Sequence, residues 1–152
     1  MKKIYPLSFA LLGGMAVALA TGQIGAEPAS EPSKPLVLRK IMQDMGKEME
    51  TIAGAISREE WKQVESAALR IADHPRPPME ERGRIIGFLG KEMAQFKGYD
   101  TKTHDTARHL AEAAAHNDGP AVISTFAALQ RSCLECHRQF RRPIQEHFYG
   151  KQ

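Results

Sequence analysis

The sequence predicts an all-α fold, an antiparallel four-helix bundle, for the chain beyond about residue 36. Apolar residues recur at every third or fourth position over most of this region, which is the spacing of one face of an α-helix. No stretch alternates apolar and polar residues in the manner of a β-strand. Short segments rich in proline, glycine and charged residues separate the helical stretches, and such connections favour antiparallel packing of consecutive helices.

The first helix is predicted to run to about Ala55. Ser33 has a side chain suited to cap its N-terminus, and Pro35 is suited to its first turn. The apolar positions step by four and three, as in a heptad seam: Leu38, Met42, Met45, Met49, Ile52 and Ile56.

Residues 57–60 have the S-x-x-E pattern of a capping box and predict the start of a second helix. Proline-rich residues 74–78 end this helix. Residues 79–96 again have helical spacing, and we interpret them as an addition between the second and third helices of the bundle. Glycines at positions 83, 87 and 90 share one face of this segment, which either allows close approach of a neighbouring group or gives flexibility.

A break is predicted at residues 98–100, followed by a third helix from about Thr101 to His116. Pro120 suits the first turn of the last helix, which is predicted to run to about Arg142 and to be ended by Pro143. The inner face of this last helix is predicted to consist of Ile123, Phe126, Gln130, Cys133, His137 and Phe140.

Residues 133–137 read Cys-Leu-Glu-Cys-His, the C-x-x-C-H motif by which c-type haem is attached. The thiols of Cys133 and Cys136 would add to the two vinyl groups of one haem, and His137 would supply an axial nitrogen to the iron. These three positions face one side of a helix, so that a flat macrocycle can lie against them. Because they belong to the apolar stripe of the last helix, we expect a covalent haem buried along the bundle core.

Two other interpretations of the cysteine pair are weaker. A redox dithiol of the thioredoxin type belongs to a βαβ context, and no strand pattern lies nearby. A structural zinc site needs two further Cys or His ligands at finger-like spacing, whereas the chain has two cysteines in all and His147 lies ten residues beyond His137.

Residues 1–26 have the composition of a secretory signal peptide. Two lysines precede an apolar run from Leu7 to Ala20, and small residues offer a cleavage site near Ala26, with Ala20 as the alternative. A membrane anchor is the competing interpretation, but the run is short for a bilayer span. Export to the periplasm agrees with the motif, because c-type haem is attached outside the bacterial cytoplasm.

Cleavage leaves about 126 residues, which suits one domain: a polar lead-in at 27–35 and the bundle at 36–152. Loss of the two lysines lowers the formal charge from +3 to +1, and two haem propionates would lower it to about −1. The calculated basicity therefore does not indicate nucleic-acid binding, and no segment beyond the signal peptide is apolar enough to cross a membrane.

The segment from Cys133 to Arg141, with an aromatic and a basic residue after the haem motif, resembles the C-terminal region of class II c-type cytochromes, the cytochrome c-prime family. Residues 38–46 resemble the first helix of that family. The resemblance implies a haem-binding four-helix bundle. It also implies that two copies can pair through their first two helices.

The family divides by what lies on the far side of the iron, and the resemblance implies two alternatives here. Low-spin members supply a methionine from the first helix; Met42 best matches that position, with Met45 one turn away as the alternative. Such a protein is a single-electron carrier between periplasmic redox proteins. Members with an open, five-coordinate iron bind nitric oxide or carbon monoxide. We expect no enzymatic activity, because the sequence shows no catalytic acid–base constellation.

Basic residues cluster on the last helix, at Arg131, Arg138, Arg141 and Arg142. Arg141 is a candidate for contact with a haem propionate, and the others could steer an acidic redox partner or simply stabilise a helix C-terminus. By resemblance to the family, Arg39 is a second candidate for a propionate contact. The remaining histidines, at 74, 104, 109, 116 and 147, are interpreted as surface residues.

Overall fold

The computed structural model describes residues 35–150, all of whose regular structure is helical. The elements are α1 (Val37–Ser57), α2 (Trp61–Ala72), α3 (Met79–Leu89), a 3₁₀ turn (Gly90–Glu92), α4 (Met93–Ala115), α5 (Gly119–Cys136), a π turn (His137–Arg141) and α6 (Arg142–Tyr149). The predicted signal peptide, its cleavage site and Ser33 lie outside the described residues. Within residues 35–150 the predicted all-α fold is confirmed.

Helices α1, α2, α4 and α5 form the four-helix bundle around one apolar core. Helix α1 packs along α2, α2 along α4, and α4 along α5, whereas α1 and α5 contact each other at few points. The largest fully buried side chains of this main core come from all four helices: Ile52, Val64, Ile71, Leu110, Val122 and Leu129.

A second apolar cluster joins α3, the π turn and α6 to the beginning of α1. Its buried members are Leu36, Ile85, Leu89, Phe140, Ile144 and Phe148. The cluster lies beyond the C-terminus of α5, so the helix that carries the C-x-x-C-H motif is packed against apolar side chains at both of its ends.

The N-terminus of α1 is capped by a side chain from a distant part of the chain. Pro35 precedes the helix instead of lying in its first turn, and that prediction was wrong. The carboxylate of Glu81 in α3 accepts hydrogen bonds from the amides of Val37 (2.6 Å) and Leu38 (2.8 Å). The amide of Leu36 donates to the hydroxyl of Tyr149 at 2.9 Å. These bonds satisfy amides that a helix N-terminus leaves without intrahelical acceptors.

The predicted capping box at the start of α2 was also wrong. Ser57 is the last residue of α1, and its hydroxyl donates to the carbonyl of Ala53 at 3.1 Å. Glu60 pairs with Arg58 at 2.8 Å. The chain reverses at Glu59, which has a positive φ of 55°, so Ser57 is still helical where the capping box requires an extended residue.

The predicted break at residues 98–100 does not exist, because α4 runs without interruption from Met93 to Ala115. The break falls earlier, at Gly90, whose φ of 50° ends α3. One glycine within a helix costs about 1 kcal/mol, and the packing of Tyr99 against Phe140 offsets that cost at Gly98. A Cβ added at Gly83 or Gly87 would meet no atom of the described residues within 4 Å, so these glycines are not sites of close helix packing.

Pro143 does not end the last helix as predicted. A straight α-helix would press the proline ring against the carbonyl of Gln139. The chain instead widens into the π turn at residues 137–141, and Pro143 lies in the first turn of α6. The π turn, which begins at His137, thus lets the helical path continue to Tyr149.

The buried carboxylate of Glu81 generates a prediction about stability. Glu81→Ala removes the acceptor of two amides and should lower the free energy of unfolding by about 1.5–3 kcal/mol, the range for hydrogen bonds to charged groups. Chemical denaturation monitored by circular dichroism measures the change. Glu80→Ala, at the exposed neighbouring position, is the matched control and should stay within about 0.5 kcal/mol of the wild type. Equal losses in both variants would contradict the capping role.

Candidate functional site

The C-x-x-C-H motif lies at the end of α5, where it meets the π turn. Cys133 and Cys136 are free, half-buried thiols on one face of the helix. Cys133 packs against the main core, and Cys136 packs against the second cluster. The imidazole of His137 follows on the exposed side. The motif therefore stands at the junction of the two apolar clusters.

One side of α5 is held firmly against α4. The hydroxyl of Thr103 in α4 donates to that of Ser132 at 3.2 Å, and Lys102 pairs with Glu135 at 2.7 Å. This side includes Ser132, which is fully buried. The other side of α5 is thereby turned away from α4.

The side of α5 away from α4 carries apolar residues that the described chain leaves uncovered. Ile123 is 60% exposed, and Leu134 is also exposed. Gln130 and His137 lie on the same side and are exposed. The prediction that Ile123, Gln130 and His137 face the protein core was wrong, because α5 is rotated so that Val122, Leu129 and Ser132 face inward. Ile123, Gln130 and His137 do share one side of α5, but that side lies at the edge of the main core and not within it.

Helix α1 also has a side on which an apolar residue is partly exposed. A different side of α1 meets α2 through the ion pair between Glu48 and Arg70 at 2.7 Å. Met42 lies about 120° around the helix from Glu48 and is 37% exposed. Met45 and Met49 are partly buried against the main core. We infer that the exposed flanks of α1 and α5 border the interface between these helices, where direct contacts are few.

The axial level of Met42 follows from the bundle geometry. The Trp61 ring, just after α1, lies 3.4 Å from the position of a Cβ added at Gly119, so the end of α1 and the start of α5 share one end of the bundle. Met42 is fifteen residues from the end of α1, and Leu134 is fifteen residues from the start of α5. At about 1.5 Å per residue the two lie at one level. Met45 lies about one turn away, level with Arg131.

The two arginines expected near propionates occupy different surroundings. The guanidinium of Arg39 lies over the ring of Tyr149, 5.2 Å from its centroid. Arg141 is exposed at the end of the π turn, close enough to His137 for its charge to act on that imidazole. Arg131 and Arg138 are exposed on α5 and the π turn, and Arg142 pairs with Glu146 at 2.7 Å.

The electrostatic environment of the thiols opposes redox dithiol chemistry. Burial raises the pKa of Cys133, and burial followed by the charge of Asp100 raises the pKa of Cys136 to about 11. Reactive dithiol motifs need the opposite shift, toward thiolate at neutral pH. Burial and the nearby charge of Arg141 lower the pKa of His137, which favours the neutral imidazole that ligates metals.

The residues present fit a c-type haem. Two half-buried thiols three residues apart and the following imidazole supply the attachment atoms and the axial nitrogen that this group requires. A zinc site at the cysteines finds less support, because among residues 35–150 the one group of three potential ligands, His74, Asp100 and His104, does not include them.

Sequence reasoning missed the aromatic side chains of α4 that pack behind the motif. The rings of Phe96 and Tyr99 meet Phe140 edge-on, with centroids 5.3 and 6.1 Å away. Their spacing of three residues on one helix was the signal that could have revealed them. The break expected at residues 98–100 concealed it.

A family model described as Cytochrome C' matches residues 90–141, which include the motif, α4 and α5. This match supports a class II c-type cytochrome and, with it, covalently bound haem c. Comparison with curated proteins and with solved structures found no match. None of the helices in the described part of the chain has the length and apolar character to span a membrane. Met42 lies outside the matched residues.

The raised pKa of Cys136 generates a prediction about its reactivity in protein prepared without haem. A thiol with a pKa of about 11 is almost entirely protonated at pH 8, so alkylation by iodoacetamide should be slow and should accelerate about tenfold per pH unit up to about pH 11. Mass spectrometry of peptides after timed alkylation measures this. The same chain in denaturant is the control and should react as an ordinary thiol. Fast alkylation of the folded chain at pH 7 would contradict the buried environment.

Proposed function

We propose that this protein is an exported c-type cytochrome with one covalent haem that carries single electrons between periplasmic proteins. The observation that carries the proposal is the C-x-x-C-H motif on α5, beside an uncovered flank of α1 that presents Met42 at the same level. The family match supports the cytochrome class, and the carrier role rests on the side chains around the motif. When bound, the haem supplies an iron that alternates between the ferrous and ferric states.

The chain's own residues would set the properties of that iron. We propose His137 as the proximal ligand and the Met42 thioether as the distal ligand. A thioether is a soft, neutral donor, and Met/His ligation raises the reduction potential. Met42 is better placed than Met45, whose side chain packs into the main core one turn away. Met45 is the alternative ligand.

The surrounding packing suits electron transfer. Cys133 and Cys136 rest against two different apolar clusters, so the attached group is fixed at two packed points. A rigid site changes little in geometry between oxidation states. Arg141 is suited to pair with a propionate near His137, and the exposed Arg131 and Arg138 are suited to attract an acidic partner. Arg39, over the Tyr149 ring, is the weaker candidate for a propionate contact.

We propose a carrier rather than an enzyme because the exposed flank of α1 offers no acid–base side chain at the level of the motif. Leu38 and Met45 pack against the two apolar clusters, and the exposed neighbours of Met42, Arg39 and Gln43, are neither carboxylates nor imidazoles. A peroxidase-like activity would need a polar proton donor on that side. Export with cleavage near Ala26, a periplasmic location and pairing of two copies through α1 and α2 complete the proposal.

The second candidate function is binding of nitric oxide or carbon monoxide at a five-coordinate iron. The sparse contact between α1 and α5 favours it, because Met42 is not held against α5 by surrounding packing. Both functions share the covalent haem and differ only on its distal side. The ligand state of the iron therefore decides between them.

The first prediction tests the cofactor. Wild-type protein matured in a host that attaches c-type haem should retain its haem through acid–acetone extraction, because thioether bonds survive that treatment. Cys133→Ser combined with Cys136→Ser should retain none. A haem-stained denaturing gel and mass spectrometry of the intact chain measure attachment. Loss of the wild-type haem on extraction would refute the proposed cofactor linkage.

The second prediction tests the distal ligand. Met42→Ala should convert a low-spin spectrum to a high-spin one, abolish the far-red sulfur-to-iron band, lower the potential and allow rapid binding of carbon monoxide to the ferrous form. Met45→Ala is the matched control; it should keep the wild-type spectrum and lose about 0.5–3 kcal/mol of stability from packing. Absorption spectra of the ferric and ferrous proteins, with and without carbon monoxide, measure these changes.

The outcomes of this test separate the two functions. A high-spin wild type that binds carbon monoxide at once would overturn the carrier proposal in favour of gas binding. A low-spin spectrum that survives Met42→Ala and is lost in Met45→Ala would move the ligand by one turn and preserve the function.

A further inference from the structure

Three potential metal ligands meet where the end of α2 packs against α4, and none of them belongs to the C-x-x-C-H motif. His74 follows α2, and Asp100 and His104 lie one turn apart on α4. The side chain of His74 is 10% exposed and that of His104 is 23% exposed, whereas Asp100 is 45% exposed. The sequence-based interpretation of His74 and His104 as surface residues is thus incorrect for their side chains, which are largely enclosed.

The donor atoms of this group converge. The Nε2 atom of His74 lies 3.6 Å from Oδ1 of Asp100, and the Nε2 atom of His104 lies 3.5 Å from Oδ2 of the same carboxylate. All three ligand atoms lie within 4.8 Å of one another. The two nitrogen–oxygen distances, 3.6 and 3.5 Å, exceed the 2.7–3.2 Å of a good hydrogen bond. They approach the roughly 3.3 Å between ligands that each bind one tetrahedral ion at about 2.0–2.1 Å.

Backbone carbonyls hold Nδ1 of both imidazoles and leave Nε2 as the atom that can bind a metal. The Nδ1 atom of His74 lies 3.0 Å from the carbonyl of Pro75, and Nδ1 of His104 is hydrogen-bonded to the carbonyl of Ala72. Because a carbonyl can only accept, each Nδ1 must carry the proton. Nε2 is then the ring atom that faces Asp100 and that would bind an ion once it has lost its own proton. A hydrogen bond from the second ring nitrogen to a carbonyl is the usual support of a metal-bound histidine.

The two rings also support each other. They stack with centroids 4.6 Å apart and an interplanar angle of 20°, which keeps both Nε2 edges on one side. The partly exposed carboxylate of Asp100 provides access from solvent. The site is thereby organised before any ion arrives, which lowers the cost of ordering the ligands on binding.

We propose that His74, Asp100 and His104 bind a divalent transition-metal ion, with Zn²⁺ as the best fit. Two imidazoles and one carboxylate favour zinc over magnesium or calcium, which prefer all-oxygen sites. Three protein ligands leave a fourth position for water. The ion would join the segment after α2 to the middle of α4 and stabilise that end of the bundle. The proposal does not depend on the haem.

The test uses the full chain in its mature form, stripped of loosely bound metal with a chelator and titrated with ZnCl₂ by calorimetry. One equivalent should bind, and thermal unfolding should shift upward with added zinc. Asp100→Asn and His104→Gln should each weaken binding by about 100-fold or more. His109→Gln, at an exposed position of the same helix, is the matched control and should bind zinc as the wild type does.

A spectroscopic measurement on the wild type keeps the test independent of how the variants fold. X-ray absorption at the zinc edge should show two imidazole nitrogens with oxygen ligands at about 2.0–2.1 Å. Sulfur ligation would place the ion at Cys133 and Cys136 and overturn the proposal. Absence of a bound equivalent, or equal loss of binding in His109→Gln, would overturn it as well. Haem attachment and its spectrum are read separately, so failure of this site leaves the cytochrome proposal intact.

Discussion

Helices α1 and α5 contact each other at few points and are held in place mainly through α2 and α4. The candidate site depends on this arrangement. Helix α1 is packed along α2 and tied at its start by Glu81 and Tyr149, whereas α5 is packed along α4. The flanks of α1 and α5 therefore keep apolar side chains partly uncovered: Met42 is 37% exposed and Ile123 is 60% exposed. An attached apolar macrocycle can cover these flanks without disturbing the main core.

The two apolar clusters pack different parts of the protein. The main core, with Ile52, Leu110 and Leu129, packs the four helices of the bundle together. The second cluster positions the π turn and α6, and through them the residues that follow the motif. Because the two cysteines each touch a different cluster, a group attached to both would be held between them.

The sequence was sufficient for features that depend on local spacing. The spacing of Met45, Met49 and Ile52 predicted the face of α1 that packs against the main core, and the contiguous C-x-x-C-H identified the candidate site. Features that depend on residues distant in the sequence could not be predicted in this way. The cap of α1 comes from Glu81, 44 residues beyond Val37, and no local pattern announces such a pairing. The exposed face of α5 was predicted to be buried because its composition alone does not show which neighbour covers it.

Glycine and proline were misread for a related reason. Gly98 and Pro143 were interpreted as ends of helices from their intrinsic preferences, but tertiary packing near Tyr99 and the wider π turn let both helical paths continue. Local propensity is a weak constraint when the flanking residues are packed. The π turn is also the departure from regular geometry closest to His137, and such turns are frequent at functional sites.

The distant cap of α1 has a consequence for the order of events when the chain folds. Its first turn depends on Glu81 and, through Leu36, on Tyr149, which is separated from Leu36 by 113 residues. Closing so long a loop carries an entropic cost that is met only after the intervening helices have formed. We therefore expect the beginning of α1 to lock into place late. Until then, the side of α5 that bears Cys133 and His137 would stay accessible to the machinery that attaches a cofactor, and the closing of α1 would be the final step of maturation.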